Sequence, residues 1–426
     1  MHIVALNQFY PPDLAPTGRL LRDLAEALAA HGHRVTILCS RSAYSSAPAR
    51  SSAPDSTADL RVIRLPAPGV RRGRAVQRLP AYGMFMAGAA ARLLCIQPRP
   101  DLILAMTTPP FLGAIARMGA AWRRCRHAHW IMDVYPEALV SHGMLRAGGF
   151  AARGLARLDR RQLRGAAPIA TIGRDLADSV RSHLRPGDAT VETIPLWAER
   201  ELSPWPDGRE SPLRRARGWA QTDVVFLYSG NLGRGHRIDV FLRAALALSR
   251  RSGIRWVFAG EGARAAEVEA FARAHPGVRI ERLPYVPPET LREHLASADV
   301  HLVSLSRPWT PSILPSKLQA AFAVARPAIF VGPRDSGLGA WVLESGGGWV
   351  VDEDDEAGLP VAVEAAMDPR ERERRGRLGL AFSREHFDRG RNCARLVELV
   401  EGGVFSTRDV RDAGGTANEE GFSDQK

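Results

Sequence analysis

The sequence predicts an α/β protein made of two doubly wound parallel sheets that face a cleft. Three observations carry this reading. Short apolar runs alternate with segments of helical spacing. The alternation restarts after residue 220. The 426 residues exceed a single typical domain of roughly 100–200 residues. The composition, 45% hydrophobic and 24% charged, is that of an ordinary globular chain. Four scattered cysteines without a CxxC pair argue against a disulfide framework or a structural zinc site. No run reaches about 18 apolar residues, the length of a spanning helix. Met1-His2-Ile3-Val4 lacks the basic lead and apolar block of a signal peptide, so a cytoplasmic location is expected.

The first unit opens with a strand at 2–7, a Pro-rich loop at 10–18, and a helix marked by Leu20, Leu21, Leu24, Ala27 and Leu28. Gly32 stops that helix before a strand at 34–38. Residues 41–60 are rich in Ser, Ala and Pro and read as an exposed loop. Further strands follow at 101–106, 128–132, 168–172 and 191–195. These read as mostly apolar runs, as strands covered by helices on both faces do. The second unit has strands at 224–228, 254–258, 278–283, 300–304, 328–331 and 348–351, with a helix at 238–250. The expected division is 1–195 for an N-terminal Rossmann-like domain and 196–385 for a C-terminal one. A terminal helix at 386–402 is expected to pack back on the first, and 403–426 to form a disordered tail. Ligands of such sheets bind beyond the carboxyl ends of the strands, so the search for chemistry starts there.

The net charge of +12 is uneven. Residues 1–200 hold 27 Arg against 14 Asp and Glu; residues 201–426 hold 31 Arg and Lys against 32. A basic front half suits an anionic partner on one side, although a general preference for Arg raises the total as well.

The loop ending in Thr17-Gly18 opens a helix, whose free N–H groups can meet an anion; a plain strand–helix turn is the alternative. Asp133 and Glu137 follow the strand at 128–132. They can orient a hydroxyl or take its proton, or one of them can cap a helix. Tyr228-Ser229-Gly230-Asn231-Leu232-Gly233-Arg234-Gly235-His236-Arg237 follows a strand. Its glycines allow close backbone approach, and its two arginines suit a diphosphate. Gly260-Glu261-Gly262 sits at the next strand end. Lys317, in Leu314-Pro315-Ser316-Lys317-Leu318-Gln319, is the only lysine besides Lys426 and places a compact charge at a helix start. The acidic run 352–356 reads as a solvated turn.

These pieces together resemble the retaining glycosyltransferases of sequence family 4, with the GT-B fold, in the bacterial branch that assembles surface polysaccharides. The resemblance rests on Tyr10-Pro11-Pro12, Asp133-Val134-Tyr135-Pro136-Glu137, Ile194-Pro195-Leu196-Trp197, the Gly230–Gly233 turn, Gly260-Glu261-Gly262, and Pro315-Ser316-Lys317 followed by Ala325-Arg326-Pro327. It covers about residues 1–400. It implies a nucleotide-diphosphate sugar held mainly by the second domain and a lipid-linked or oligosaccharide acceptor on the first. By that resemblance Asp133, Arg234 and Lys317 are the catalytic candidates. Thr17, Gly18, Gly230, Asn231, Gly233, Arg237, Gly260, Glu261, Ser316 and Gln319 fall on the donor side, and Asp13, His129 and Glu137 on the acceptor side. No cofactor and no metal are implied. Many members carry two glutamates separated by seven residues where this chain has Ser312 and Ala320, so a ribose partner is sought in Gln319 or Glu344. Arg clusters at 71–78, 123–126 and 153–164, beside an apolar stretch at 82–96, suit an anionic membrane surface; the stretch also reads as a core helix. Nucleic-acid binding is not expected, since no basic motif interleaved with aromatics is present. Two rival readings are a nucleotide-sugar 2-epimerase and a degenerate, non-catalytic nucleotide-sugar-binding scaffold.

Overall fold

A computed structural model describes residues 1–13, 15–41, 58–68, 78–206, 211–355 and 357–405. The first lobe runs β1 (His2–Leu6), α1 (Pro16–Ala30), β2 (Arg34–Ser40), β3 (Leu60–Leu65), α2 (Leu79–Cys95), β4 (Leu102–Ala105), α3 (Leu112–Arg123), β5 (Arg126–Ile131), α4 (Glu137–Ser141), α5 (Phe150–Leu163), β6 (Ile169–Thr171), α6 (Arg174–His183) and β7 (Val191–Thr193). A short helix, α7 (Pro212–Ala216), precedes the second lobe. That lobe runs β8 (Val224–Ser229), α8 (Ile238–Ala247), β9 (Ile254–Ala259), α9 (Ala265–Ala274), β10 (Ile280–Leu283), α10 (Pro288–Ala296), β11 (Val300–Ser304), α11 (Lys317–Ala323), β12 (Ala328–Val331), α12 (Gly337–Ser345), β13 (Gly348–Val351), α13 (Gly358–Ala366) and α14 (Pro369–His386). α15 (Arg389–Phe405) closes the chain.

Both sheets are parallel. Their orders are β3-β2-β1-β4-β5-β6-β7 and β10-β9-β8-β11-β12-β13, each winding outward in both directions from a central strand. Such sheets need helices on both faces. In the first lobe α2 and α3 cover one face through Phe85, Leu93, Leu112 and Ala116 against Val4, Leu6 and Ile103. On the opposite face Leu21, Leu24 and Leu28 of α1 share a core with Leu176 of α6 and with Leu396, Val397 and Val400 of α15. The spacing of three and four that marks α1 in the sequence is its buried stripe. Pro16 in its first turn lacks only an N–H that would have no partner there.

Three expectations need correction. The reading of 41–60 as a loop stops one residue too late: Leu60 opens β3, an edge strand missed because Arg61 and Arg64 break its apolar run and most of it is only half-buried; residues 42–57 lie outside the described set. The acidic run at 352–356 is not wholly a solvated turn, because Glu353 is buried and accepts the Arg307 backbone N–H at 2.9 Å. The terminal helix runs to Phe405, so 403–405 are helical; 406–426 are outside the described residues.

The lobes are joined where the chain passes from β7 toward α7 and returns from α14 to α15. Asn392 Nδ2 donates to the Pro195 carbonyl at 3.0 Å, so the two crossings touch. Asp23, buried on α1, accepts from Trp197 Nε1 at 2.8 Å and from Arg200 Nε at 2.9 Å. Trp197 stacks on Trp130 of β5. Asp23→Ala leaves the buried indole N–H without its acceptor, and an unmade buried hydrogen bond costs about 1–3 kcal/mol. A urea titration is expected to show a lower midpoint, with an unfolding free energy smaller by that amount; an unchanged midpoint would show that the joint does not depend on this carboxylate.

Candidate functional site

The carboxyl ends of the two sheets face each other, and the loops leaving them touch. Val134 N–H donates to the Ser312 carbonyl at 3.1 Å, and Ser141 Oγ donates to the Pro308 carbonyl at 2.7 Å. The His142 ring meets the Trp309 ring edge-on at 4.5 Å. Farther along, Gly337 N–H donates to Asp175 at 2.8 Å.

In the second lobe, the loops after β8 and β9 lie backbone against backbone. A Cβ on Gly260 would stand 1.9 Å from the Gly230 carbonyl oxygen, and one on Gly262 would stand 2.4 Å from the Leu232 carbonyl oxygen. Gly230 and Gly260 also hold φ of +126° and +125°, a region that favours glycine. Lys317, at the start of α11, lies over this pair. Its Nζ is 4.8 Å from the Tyr228 ring centre and 3.4 Å from His236 Nε2. His236 Nδ1 is 2.5 Å from the Ser304 carbonyl and must donate to it, which leaves Nε2 as a bare acceptor for the lysine. Burial, then the neighbouring Lys317, brings the His236 pKa down to about 3. Burial alone lowers Lys317 to about 7. A half-neutral lysine at this place is ready to take a proton when an anion arrives.

Arg234 is exposed in the same loop and makes no ion pair among the described residues; its charge reaches His142 across the cleft. Asn231 is exposed beside it, and Gly233 packs under the Asn231 amide. Arg237 is committed elsewhere: Asp239 at 3.1 Å and Glu353 at 3.3 Å neutralise its guanidinium, which fixes the loop. Glu261 is exposed and sits 3.3 Å from Arg282. Ser316 is exposed at the cap of α11. Gln319 is fully buried, with neither amide atom hydrogen-bonded among the described residues. Ser312 is buried in the contact between lobes, and Ala320 packs beside Trp219 and Val324, so neither position offers a ribose partner.

In the first lobe, Gly18 packs under the Phe9 backbone, and Thr17 Oγ accepts from Asn7 Nδ2 at 3.3 Å. Asp13 accepts the Ala15 N–H at 2.9 Å and shapes the same loop. Asp133 lies at the mouth of the strand β5, and burial carries its carboxyl up to about 6. His129 is buried behind it rather than on the cleft wall. Glu137 binds His183 at 3.0 Å, and His183 binds Asp159 at 2.7 Å. Burial opposes the charge on His183, but the two carboxylates outweigh it and raise its pKa to about 9. The sequence reading missed His142, Trp309 and His183. Each acts through a partner distant in the chain, so no local pattern marks them. Among the described residues no cluster of three or more His, Cys, Asp or Glu is placed to hold a metal ion.

The arrangement is two glycine turns in backbone contact, with a buried lysine over them and an arginine that makes no ion pair among the described residues. Residues 17–197 match the family described as glycosyl transferase 4-like domain. That match spans the first lobe and reaches the crossing after β7. It is 28% identical over 274 residues to the probable glycosyltransferase WbjE of Pseudomonas aeruginosa, covering 63% of this chain and 66% of that one, a little under two thirds. It is 24% identical to the putative colanic acid biosynthesis glycosyl transferase WcaI of Escherichia coli K12, covering 80% and 85%. Among solved structures, the sucrose-phosphate synthase of Thermosynechococcus elongatus superposes with a TM-score of 0.74 at 17% identity, covering 97% of this chain and all of that one. The Anabaena protein HepE, in complex with UDP and glucose, superposes at 0.69 with 13% identity, covering 94% and 100%. These structural likenesses establish the GT-B fold.

Two outcomes follow for the second lobe. Gly260→Ala should abolish any rise in melting temperature with UDP or GDP, because the new methyl group collides with backbone rather than with a movable side chain. In calorimetry run in buffers of different ionisation heat, nucleotide-diphosphate binding above pH 7 should take up close to one proton. Affinity should fall by up to roughly tenfold per pH unit between the free and bound pKa of Lys317. Lys317→Met should remove both the uptake and the slope.

Proposed function

We propose that the protein transfers a sugar from a nucleotide-diphosphate sugar to a lipid-linked saccharide, with retention at the anomeric carbon, during assembly of a cell-surface polysaccharide. The observation that carries this is Lys317 poised over the Gly230–Gly260 contact, beside the Tyr228 ring. Catalysis then depends on charge: as the sugar C1–O bond to the diphosphate breaks, negative charge grows on the leaving oxygen, and Lys317 and Arg234 stabilise it. The acceptor hydroxyl attacks C1 from the same face, and its proton passes to the leaving diphosphate. No metal is required in this scheme, since two side-chain cations supply the positive charge. The name of WcaI supports the polysaccharide setting, and the complex of HepE with UDP and glucose supports the donor class.

The acceptor's lipid points to attachment at the inner face of the plasma membrane. No helix among the described residues is long and apolar enough to cross a membrane. The layer of α2, α3 and α5 offers a docking face instead. Met118 and Trp122 on α3 and Phe150 on α5 are 63%, 67% and 88% exposed. Arg153, Arg157, Arg160, Arg161 and Arg164 are exposed beside them. Within residues 78–164 Arg outnumbers Asp and Glu by 13 to 4. α2 serves both readings of the sequence: Phe85, Ala89 and Leu93 are core, while Leu79, Met84 and Leu94 are exposed. The cluster at 71–74 lies outside the described residues.

The test is transfer of labelled sugar from a panel of UDP- and GDP-sugars to lipid-diphosphate-linked saccharide, with the product anomer read by NMR. Retained configuration and loss of transfer in Lys317→Ala are expected; an inverted product or free isomerised sugar sinks the proposal. In parallel, sedimentation with anionic vesicles should weaken severalfold for Trp122→Ala/Phe150→Ala and at high salt. Binding that ignores lipid charge would rule the docking face out.

A further inference from the structure

Behind Asp133 lies a cavity of about 20 Å³, room for one water molecule. Asp133, His129 and Gln162 line it, and Gly113 gives it space: a Cβ there would lie 2.1 Å from His129 Cε1 and 2.9 Å from Gln162 Oε1. The hydrogen-bond directions are fixed by their neighbours. Gln162 Nε2 donates to Asp159 at 2.6 Å, which sets the amide and turns Oε1 the other way. Gln162 is more than nine-tenths buried, and Oε1 has no partner among the described residues. His129 Nε2 is 3.2 Å from the Gln162 carbonyl and must donate to it. Burial, with His127 alongside, keeps the ring neutral, so Nδ1 is a bare acceptor. The cavity therefore presents two acceptors and one carboxyl group.

We propose that this cavity binds a water that donates to Gln162 Oε1 and His129 Nδ1 and accepts from the O–H of Asp133. Asp133 is then held as a neutral carboxylic acid whose other oxygen receives a substrate hydroxyl. The water has spent both protons and has only lone pairs left, so it matches the acid form and opposes the carboxylate. A neutral group also avoids repelling a diphosphate in the cleft. The inference rests on the transferase reading for its substrate, but not for the water or the proton. Other titratable groups around the site are Tyr135 beside Asp133, Tyr82 and Arg78 acting on that tyrosine, His127 on β5, and Asp159 on α5, with His183 and Glu137 behind it. Gln162 and His129 are positioning residues.

The experiment has three readouts on the full chain. A high-resolution crystal structure should show a water within hydrogen-bond distance of Gln162 Oε1, His129 Nδ1 and Asp133; an empty cavity overturns the proposal. The infrared difference between wild type and Asp133→Asn should show a carboxylic-acid band that fades as pH rises through about 6. Gln162→Leu and His129→Phe should each move that fading to lower pH, because the freed water proton then favours the carboxylate; no shift in either variant overturns the proposal. In the transfer assay Asp133→Asn, which keeps a neutral acceptor oxygen, should retain activity within roughly tenfold, and Asp133→Ala should lose roughly a hundredfold or more. An Asn variant as poor as the Ala variant overturns it. A wild type that transfers no sugar, yet shows the water and the band, defeats the transferase reading and leaves the water site standing.

Discussion

The candidate site depends on one contact between backbones. The turns after β8 and β9 can touch only because Gly260 has no side chain, and a Cβ on Gly230 would press on Lys317 Cε at 3.1 Å. That contact sets the floor on which Lys317 lies, and the lysine's depth follows from it. Tyr228 below and His236 beside it leave the ammonium with a ring face and one bare nitrogen as neighbours, and no carboxylate among the described residues. A lysine so placed is weakly satisfied without an anion. The neighbouring arginine shows the contrast. Arg237 is three residues from Arg234, yet its charge is spent on Asp239 and Glu353, and the loop is stiffened as a result.

The first lobe works by a different economy. Its half of the chain carries all of the net positive charge, yet its wall at the cleft is a carboxyl pushed toward its acid form, backed by a neutral histidine and a buried amide. The charged network of Glu137, His183 and Asp159 stands behind that wall and fixes α4, α5 and α6 to one another. Charge is thus sorted by position, with cations on the second lobe's side of the cleft and neutral groups opposite.

How much of this the sequence declared depended on the range of the interaction. The strands at 300–304, 328–331 and 348–351 were readable to the residue: the first two are buried throughout, and 348–351 keeps a short apolar run although it ends its sheet. β3 was not, since an edge strand tolerates Arg61 and Arg64 and loses that signature. Lys317 stood out as a lysine in an arginine-rich chain, and the glycine turns stood out by position after strands. Glu353 was misread because its partner Arg237 is 116 residues away. His183 was invisible for the same reason: its two carboxylates come from α4 and α5, and nothing near it in the chain announces them.

The meeting of the two inter-lobe crossings at Asn392 and Pro195 has a mechanical consequence. Two covalent links side by side act as a single pivot, so the lobes keep one easy degree of freedom, a swing about that point, while sliding and twisting strain both links. The far end of α15 is anchored in the first lobe's core by Leu396, Val397 and Val400. Neither half is therefore a self-sufficient body: cutting the chain at either crossing strips α1 of an apolar neighbour and turns a closable jaw into two sticky fragments.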